Sequence, residues 1–135
     1  MVTRLMVLVV AMILAACGSG AGPDSARCSP ASDTLLQGIA EGLTVDGGAL
    51  ASGYVVQSEA FEEVYMVAAE IDGPGLEATG DVGVWATNDP AGGGTVLSVD
   101  DTAQERSDWP VGSESNEELT IMADGAMEAE ACAGG

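Results

Sequence analysis

The chain contains no lysine and no histidine. Without imidazole there is no Ser-His-Asp or Cys-His catalysis and no histidine-ligated metal. Without lysine there is no Schiff-base or Ser-Lys mechanism. Three arginines, Arg4, Arg27 and Arg106, stand against 22 acids, for a net charge of −19. No basic stripe exists to displace counterions from phosphates, which excludes a nucleic-acid partner. Two Trp, two Tyr and one Phe are few platforms for gripping a sugar. No Gly-x-Gly-x-x-Gly or phosphate-loop pattern occurs, and the glycines at 92–94 read as a loop. The Cys-x-x-Cys spacing of zinc and redox sites is also missing.

What is present describes a folded domain. The chain is 135 residues long and 47% apolar, enough for one core and too short for two. Its acids are scattered rather than run together, as on an acidic surface and unlike a disordered tail. Such charge serves solubility or a high-salt setting. It is also compatible with a cationic partner or a divalent metal.

An apolar run of 12 residues, Leu5 to Ala16, opens behind Arg4. As a helix it spans about 18 Å, against about 30 Å of hydrocarbon, so it suits a secretory h-region better than a membrane span. It ends in Leu14-Ala15-Ala16-Cys17-Gly18, with small residues before a cysteine. This stretch resembles the lipobox of bacterial lipoproteins. In that family the cysteine takes a diacylglyceryl group, the leader is removed, and the cysteine becomes the first mature residue. The resemblance implies a signal peptide over residues 1–16, palmitate-type acyl chains on Cys17, and an address on the extracytoplasmic face of the cell membrane. Two or more acyl chains hold a bilayer stably where one does not. Size and composition are also similar to those of small lipoproteins of high-GC Gram-positive bacteria, a likeness that carries no activity with it. The alternative is a secreted protein cut elsewhere, with Cys17 free to pair. If Cys17 carries lipid, Cys28 and Cys132 are left as an even pair in an oxidising compartment. A bridge between them would close a loop of about 100 residues, worth near 4.7 kcal/mol in the chain-entropy model. Two free thiols are the competing reading.

Residues 18–26 are rich in Gly, Ser, Ala and Pro and read as a flexible tether reaching roughly 17 Å. Residues 17–27 thus link the anchor to a single acidic domain over 28–135. Ser29-Pro30 or Ser32-Asp33 offers a helix start, and Leu35, Leu36, Ile39, Ala40 and Leu43 recur at helical spacing. The spacing predicts a helix over 33–42, closed by a left-handed Gly42. Strand patterns follow at 53–58, 63–71, 82–87 and 95–99, separated by Gly/Pro/Asn/Asp breakers. The links are too short for helical crossovers, so the strands should form an antiparallel meander. The run at 63–71 is apolar on both faces and should lie at its centre. A short helix is expected over 100–107, capped by Asp100 or Asp101. Ser113 to Asn116 reads as polar loop. Ser115 with Glu118 fits a capping box for a last helical segment through Leu119, Met122, Ala123, Ala126 and Met127, which Asp124-Gly125 would divide. The expected fold is α+β: two layers, a meander of about four strands packed against N- and C-terminal helices that share one face.

The chemistry left open is that of carboxylates. Asp72, Asp89, Asp100 and Asp101 lie at expected turns or strand ends and offer oxygen ligands for calcium, although none forms the Asp-x-Asp-x-Asp-Gly loop. Turn and cap roles compete with that reading. Two converging acids would permit glycoside hydrolysis, but 22 acids make chance pairs common. Arg106 should pair with Asp101 or Glu105, or hold a ligand carboxylate. Trp85 and Tyr65 read as packing residues. No cofactor and no catalytic residue is implied. The expectation is a lipid-anchored extracytoplasmic module that binds a protein or envelope component on a sheet face left uncovered by helices. A calcium-binding domain is the alternative, and a carboxylate-dependent hydrolase comes third.

Overall fold

The computed structural model describes residues 25–76 and 80–134. The leader 1–16, the lipid site Cys17 and residues 18–24 of the tether lie outside the described residues. The described chain opens with a 3-10 turn (Ser25–Arg27), then β1 (Ser29–Pro30), α1 (Asp33–Ala40), β2 (Ala49–Gln57), β3 (Tyr65–Asp72), β4 (Val82–Thr87), β5 (Val96–Ser98), α2 (Asp101–Arg106), α3 (Gly112–Ser115) and α4 (Ala126–Gly134). The strands lie side by side in chain order, all antiparallel. The fold is therefore α+β with a central meander, as expected. Ser29-Pro30 adds a fifth strand at the edge, opposite Val55 and Tyr54. An edge tolerates the proline, because its missing N–H would have faced outward.

β3 sits in the middle, and its alternation explains the layers. Met66 and Ala68 point to one face and join Val56, Val84 and Ala86. Val67, Ala69 and Ile71 point to the other and join Trp85. Both faces are apolar, so both need cover. α4 covers the first with Ala126, Ala129 and Ala133. α1 covers the second with Leu35, Leu36 and Ile39, and α2 adds Ala103. The terminal helices thus take opposite faces instead of sharing one, and the apolar middle of neither face is left bare for a partner. Trp85 is fully buried, and its indole N–H donates to Ser107 Oγ at 3.1 Å, which bears out its packing role.

α1 begins at Ser32, whose hydroxyl accepts from Leu35 N–H at 3.2 Å. It ends at Ala40, and Gly42 is not left-handed as expected. The glycine is there for space: a Cβ would lie 2.4 Å from Trp109 Nε1, whose N–H donates to Ile39 O at 2.8 Å. α2 is capped by Asp100, which accepts from Ala103 N–H at 2.8 Å.

The capping box does not form. Ser115 closes α3, and Asn116 Oδ1 takes the Glu118 N–H at 3.0 Å. Such a local side-chain bond competes with a helix start. Turns then carry the chain to Gly125, at φ 92°, and only there does α4 begin. The helical spacing of Leu119 and Ala123 is met by two turns that bury both residues, while Met122 faces out.

Candidate functional site

Three surfaces carry the chemistry of the described residues. The first is the point where the chain enters the domain. Cys28 is bonded to Cys132 across a sequence separation of 104. Beside them the Arg27 guanidinium donates to both carboxylate oxygens of Asp124, at 3.0 and 2.9 Å. It also donates to Gln57 O at 3.0 Å and lies 3.7 Å from Glu128. Asp124 accepts a further bond from Glu59 N–H at 2.7 Å. These donors, Arg27 first, hold the Asp124 carboxyl at about 2, well below its ordinary value. The same carboxylate raises Arg27. Arg27, expected at the end of the tether, is therefore docked on the domain. A fork of two parallel bonds fixes geometry as well as charge.

The acids singled out for calcium are engaged singly. Asp72 accepts from Gly73 N–H and Asp89 from Ala91 N–H, both at 2.9 Å. Asp100 accepts from Val84 N–H at 3.0 Å as well as from Ala103. Its burial pushes the carboxyl up, and the two N–H bonds oppose that rise. Asp101 lies exposed in the first turn of α2. Among the described residues no three acids or thiols converge on a metal-sized site. Asp100 and Asp101 share a surface depression of about 500 Å³ with Gln104 and Ser113. Arg106 pairs with Asp81 at 3.3 Å and not with Asp101 or Glu105. Asp81 lies just ahead of β4, which α2 packs against, so the partner is supplied by tertiary packing instead of by the helix itself.

The second surface is a groove of about 570 Å³ between α1 and the start of β2. Asp33, Leu36, Ala40 and Glu41 form its helical wall, and Ala49 and Leu50 form the strand wall. Positions 33, 36, 40 and 41 fall on one side of a helix, so α1 presents a continuous wall with an acid at each end.

The third surface is apolar. Met122 is 77% exposed and Met127 47% exposed, beside Val82, Ile121 and Ala131, around a hollow of about 540 Å³. Sequence reading assigned both methionines to a helix face. The groove was hidden because Gly48-Ala49-Leu50 has no β-branched residue to mark a strand start. Arg27 with Asp124 was hidden because the two lie 97 residues apart.

Among the described residues no helix is long and apolar enough to cross a membrane. Comparison with protein-family models, with curated proteins and with solved structures finds no match.

Proposed function

We propose that this chain is a bacterial lipoprotein, anchored through acylated Cys17 to the extracytoplasmic face of the cell membrane. Its acidic domain serves there as a non-catalytic module that binds a protein or envelope component. The observation that carries the reading is the stretch Leu14-Ala15-Ala16-Cys17 behind a 12-residue apolar run. The Cys28–Cys132 bond supports it, because such bonds persist in oxidising compartments. Under this reading the lipid supplies all the membrane affinity. A domain of this charge is repelled by anionic headgroups and stands off on its tether. The lack of histidine and lysine, with Asp72, Asp89 and Asp100 tied up in caps and turns, favours binding over catalysis.

Mass spectrometry of the chain purified from its membrane tests the anchor. The expected product starts at Cys17 and carries acyl chains, and Cys17→Ser releases the protein from the membrane fraction. An unmodified chain that retains residues 1–16 in the cytosol overturns the reading.

A further inference from the structure

We infer that the groove between α1 and the first half of β2 takes an extended peptide of alternating apolar and basic residues, added to the sheet as a sixth strand. The inference rests on the binding-module reading above and names the partner's chemistry.

The edge comes first. β1 pairs with β2 only at Val55 and Tyr54, and Ala31 N–H adds one bond to Gly53 O at 2.9 Å. Among the described residues no strand flanks Ala49, Leu50 or Ala51 on that side. A strand edge of this kind offers outward N–H and C=O groups to another chain. Proteins usually blunt such an edge with lysine or proline. This chain has no lysine, and Pro30 lies on β1 beside the covered half. The register irregularity between Ala51 and Tyr54 separates the covered half from the open one.

The flanking wall comes second. A strand seated between a sheet edge and a helix gains main-chain bonds from the edge and side-chain pockets from the helix. The groove volume lies in the range of about 300–1,000 Å³ usual for ligand sites.

Side-chain chemistry comes third. Leu50 lies opposite Ile71 and packs with the α1 cluster. Ala49 lies opposite Asp72, and Ala51 opposite Glu70. Cross-strand partners share a face, so α1 covers one face at this edge and the other carries two carboxylates one strand in. An added strand alternates in the same way. Its apolar side chains meet Leu50, Leu36 and Ala40, and its basic ones face Glu70 and Asp72. Asp33 and Glu41 bound the groove on the helix side. A second copy of this chain is the poorer occupant, since it brings a net charge of −19 against the same acids.

The test uses the full chain in detergent micelles and a fluorescein-labelled Arg-Val-Arg-Val-Arg-Val peptide. Two further peptides carry N-methyl groups, one on the arginine nitrogens and one on the valine nitrogens. Successive N–H groups of a strand point to opposite edges, so only one set can bond to β2. The expected result is micromolar binding by the parent peptide. One methylated peptide should bind at least about tenfold more weakly, and the other within about twofold. The Glu70→Gln/Asp72→Asn variant, which neutralises the acids that the basic side chains face, should lose about fivefold or more, and amide NMR shifts should centre on residues 48–51. Equal binding by all three peptides, shifts centred elsewhere, no binding at millimolar peptide, or a chain that dimerises through this edge each overturns the inference. Any of these results with acylated Cys17 and a partner cross-linked at another surface rejects the groove alone. Unmodified Cys17 rejects the reading beneath it.

Discussion

Asp124 makes a measurable claim about acid stability. Its folded-state pKa is about 2, against an ordinary 3.8. At 1.36 kcal/mol per pH unit that difference is worth about 2 kcal/mol. The Arg27 and Asp124 side chains are 21% and 30% exposed, and solvent screening reduces the figure to about 1–2 kcal/mol. The pKa is depressed on folding, so this stability is present in full above the unfolded pKa. It fades as pH falls from about 4 towards 2. Wild type and Asp124→Asn should therefore be compared by urea unfolding at pH 6, 4, 3 and 2, with fluorescence of the buried Trp85 as the signal. The variant keeps its volume and one acceptor for Glu59 N–H. Its deficit should be about 1–2 kcal/mol at pH 6 and should close by pH 2. Taking the difference between the two proteins removes the acid dependence that they share. A deficit that is constant with pH, or that widens in acid, would show that the Arg27 fork does not hold this carboxylate ionised.

Asp100 should behave with the opposite sign. Burial raises its pKa, so the folded state gains stability as Asp100 takes up its proton, and Asp100→Asn should trail wild type by more at pH 3 than at pH 7. Urea midpoints across that range decide it. Replacing Cys28 and Cys132 together by alanine should cost up to about 4.7 kcal/mol for a loop of this length. A loss under about 1 kcal/mol would mean that Arg27 and the α4 packing already hold the ends together. Gly42→Ala should place its methyl in the Trp109 ring and break the Nε1–Ile39 bond, for a loss of about 1–3 kcal/mol and a changed Trp109 emission. An unchanged spectrum and midpoint would refute the close approach.

Local chemistry was readable where one element settles its own fate. Ser32 and Asp100 were each one of two candidate caps, because a hydroxyl or carboxylate three residues before a free N–H has few better uses, and the structure selects them over Ser29 and Asp101. The centre of the sheet was readable because Met66, Val67, Ala68 and Ala69 leave no polar face. That same fact should have placed helices on both sides, yet one covered face was expected. Alanine explains the error: Ala126, Ala129 and Ala133 look weakly amphipathic but pack closely over Ala68 and Ala86. Ser115 and Glu118 failed as a capping box because Asn116, between them, took the Glu118 amide first. Arg106 was matched to near neighbours in sequence, and its partner Asp81 comes from ahead of β4. The groove depends on where β1 stops, and nothing in the pair Ser29-Pro30 announces that it covers only the far half of β2.

The two ends of β2 bear on the proposed role in different ways. The chain enters the domain at the Gln57 end, where Arg27 bonds to Gln57 O and Cys28 joins α4 through Cys132. The groove lies at the Ala49 end. Nine residues of strand separate the ends by roughly 25 Å at about 3.3 Å per residue. Under the proposed anchor at Cys17, entry of the chain beside Gln57, on a domain that anionic headgroups would repel, would turn the Ala49 end away from the membrane. An anchored protein that recruits a partner needs that arrangement, because a groove at the tethered end would be hidden by the membrane it stands on. The fork at Arg27 and the Cys28–Cys132 bond then have a role beyond stability. Under that same proposal they would set which end of the sheet is proximal, and cutting both should leave the groove's affinity intact while lowering capture of a bulky partner at the cell surface. Peptide titration of the doubly cut variant, set beside surface capture of the same variant, separates these effects. A parallel fall in both would return the clasp to a purely structural part.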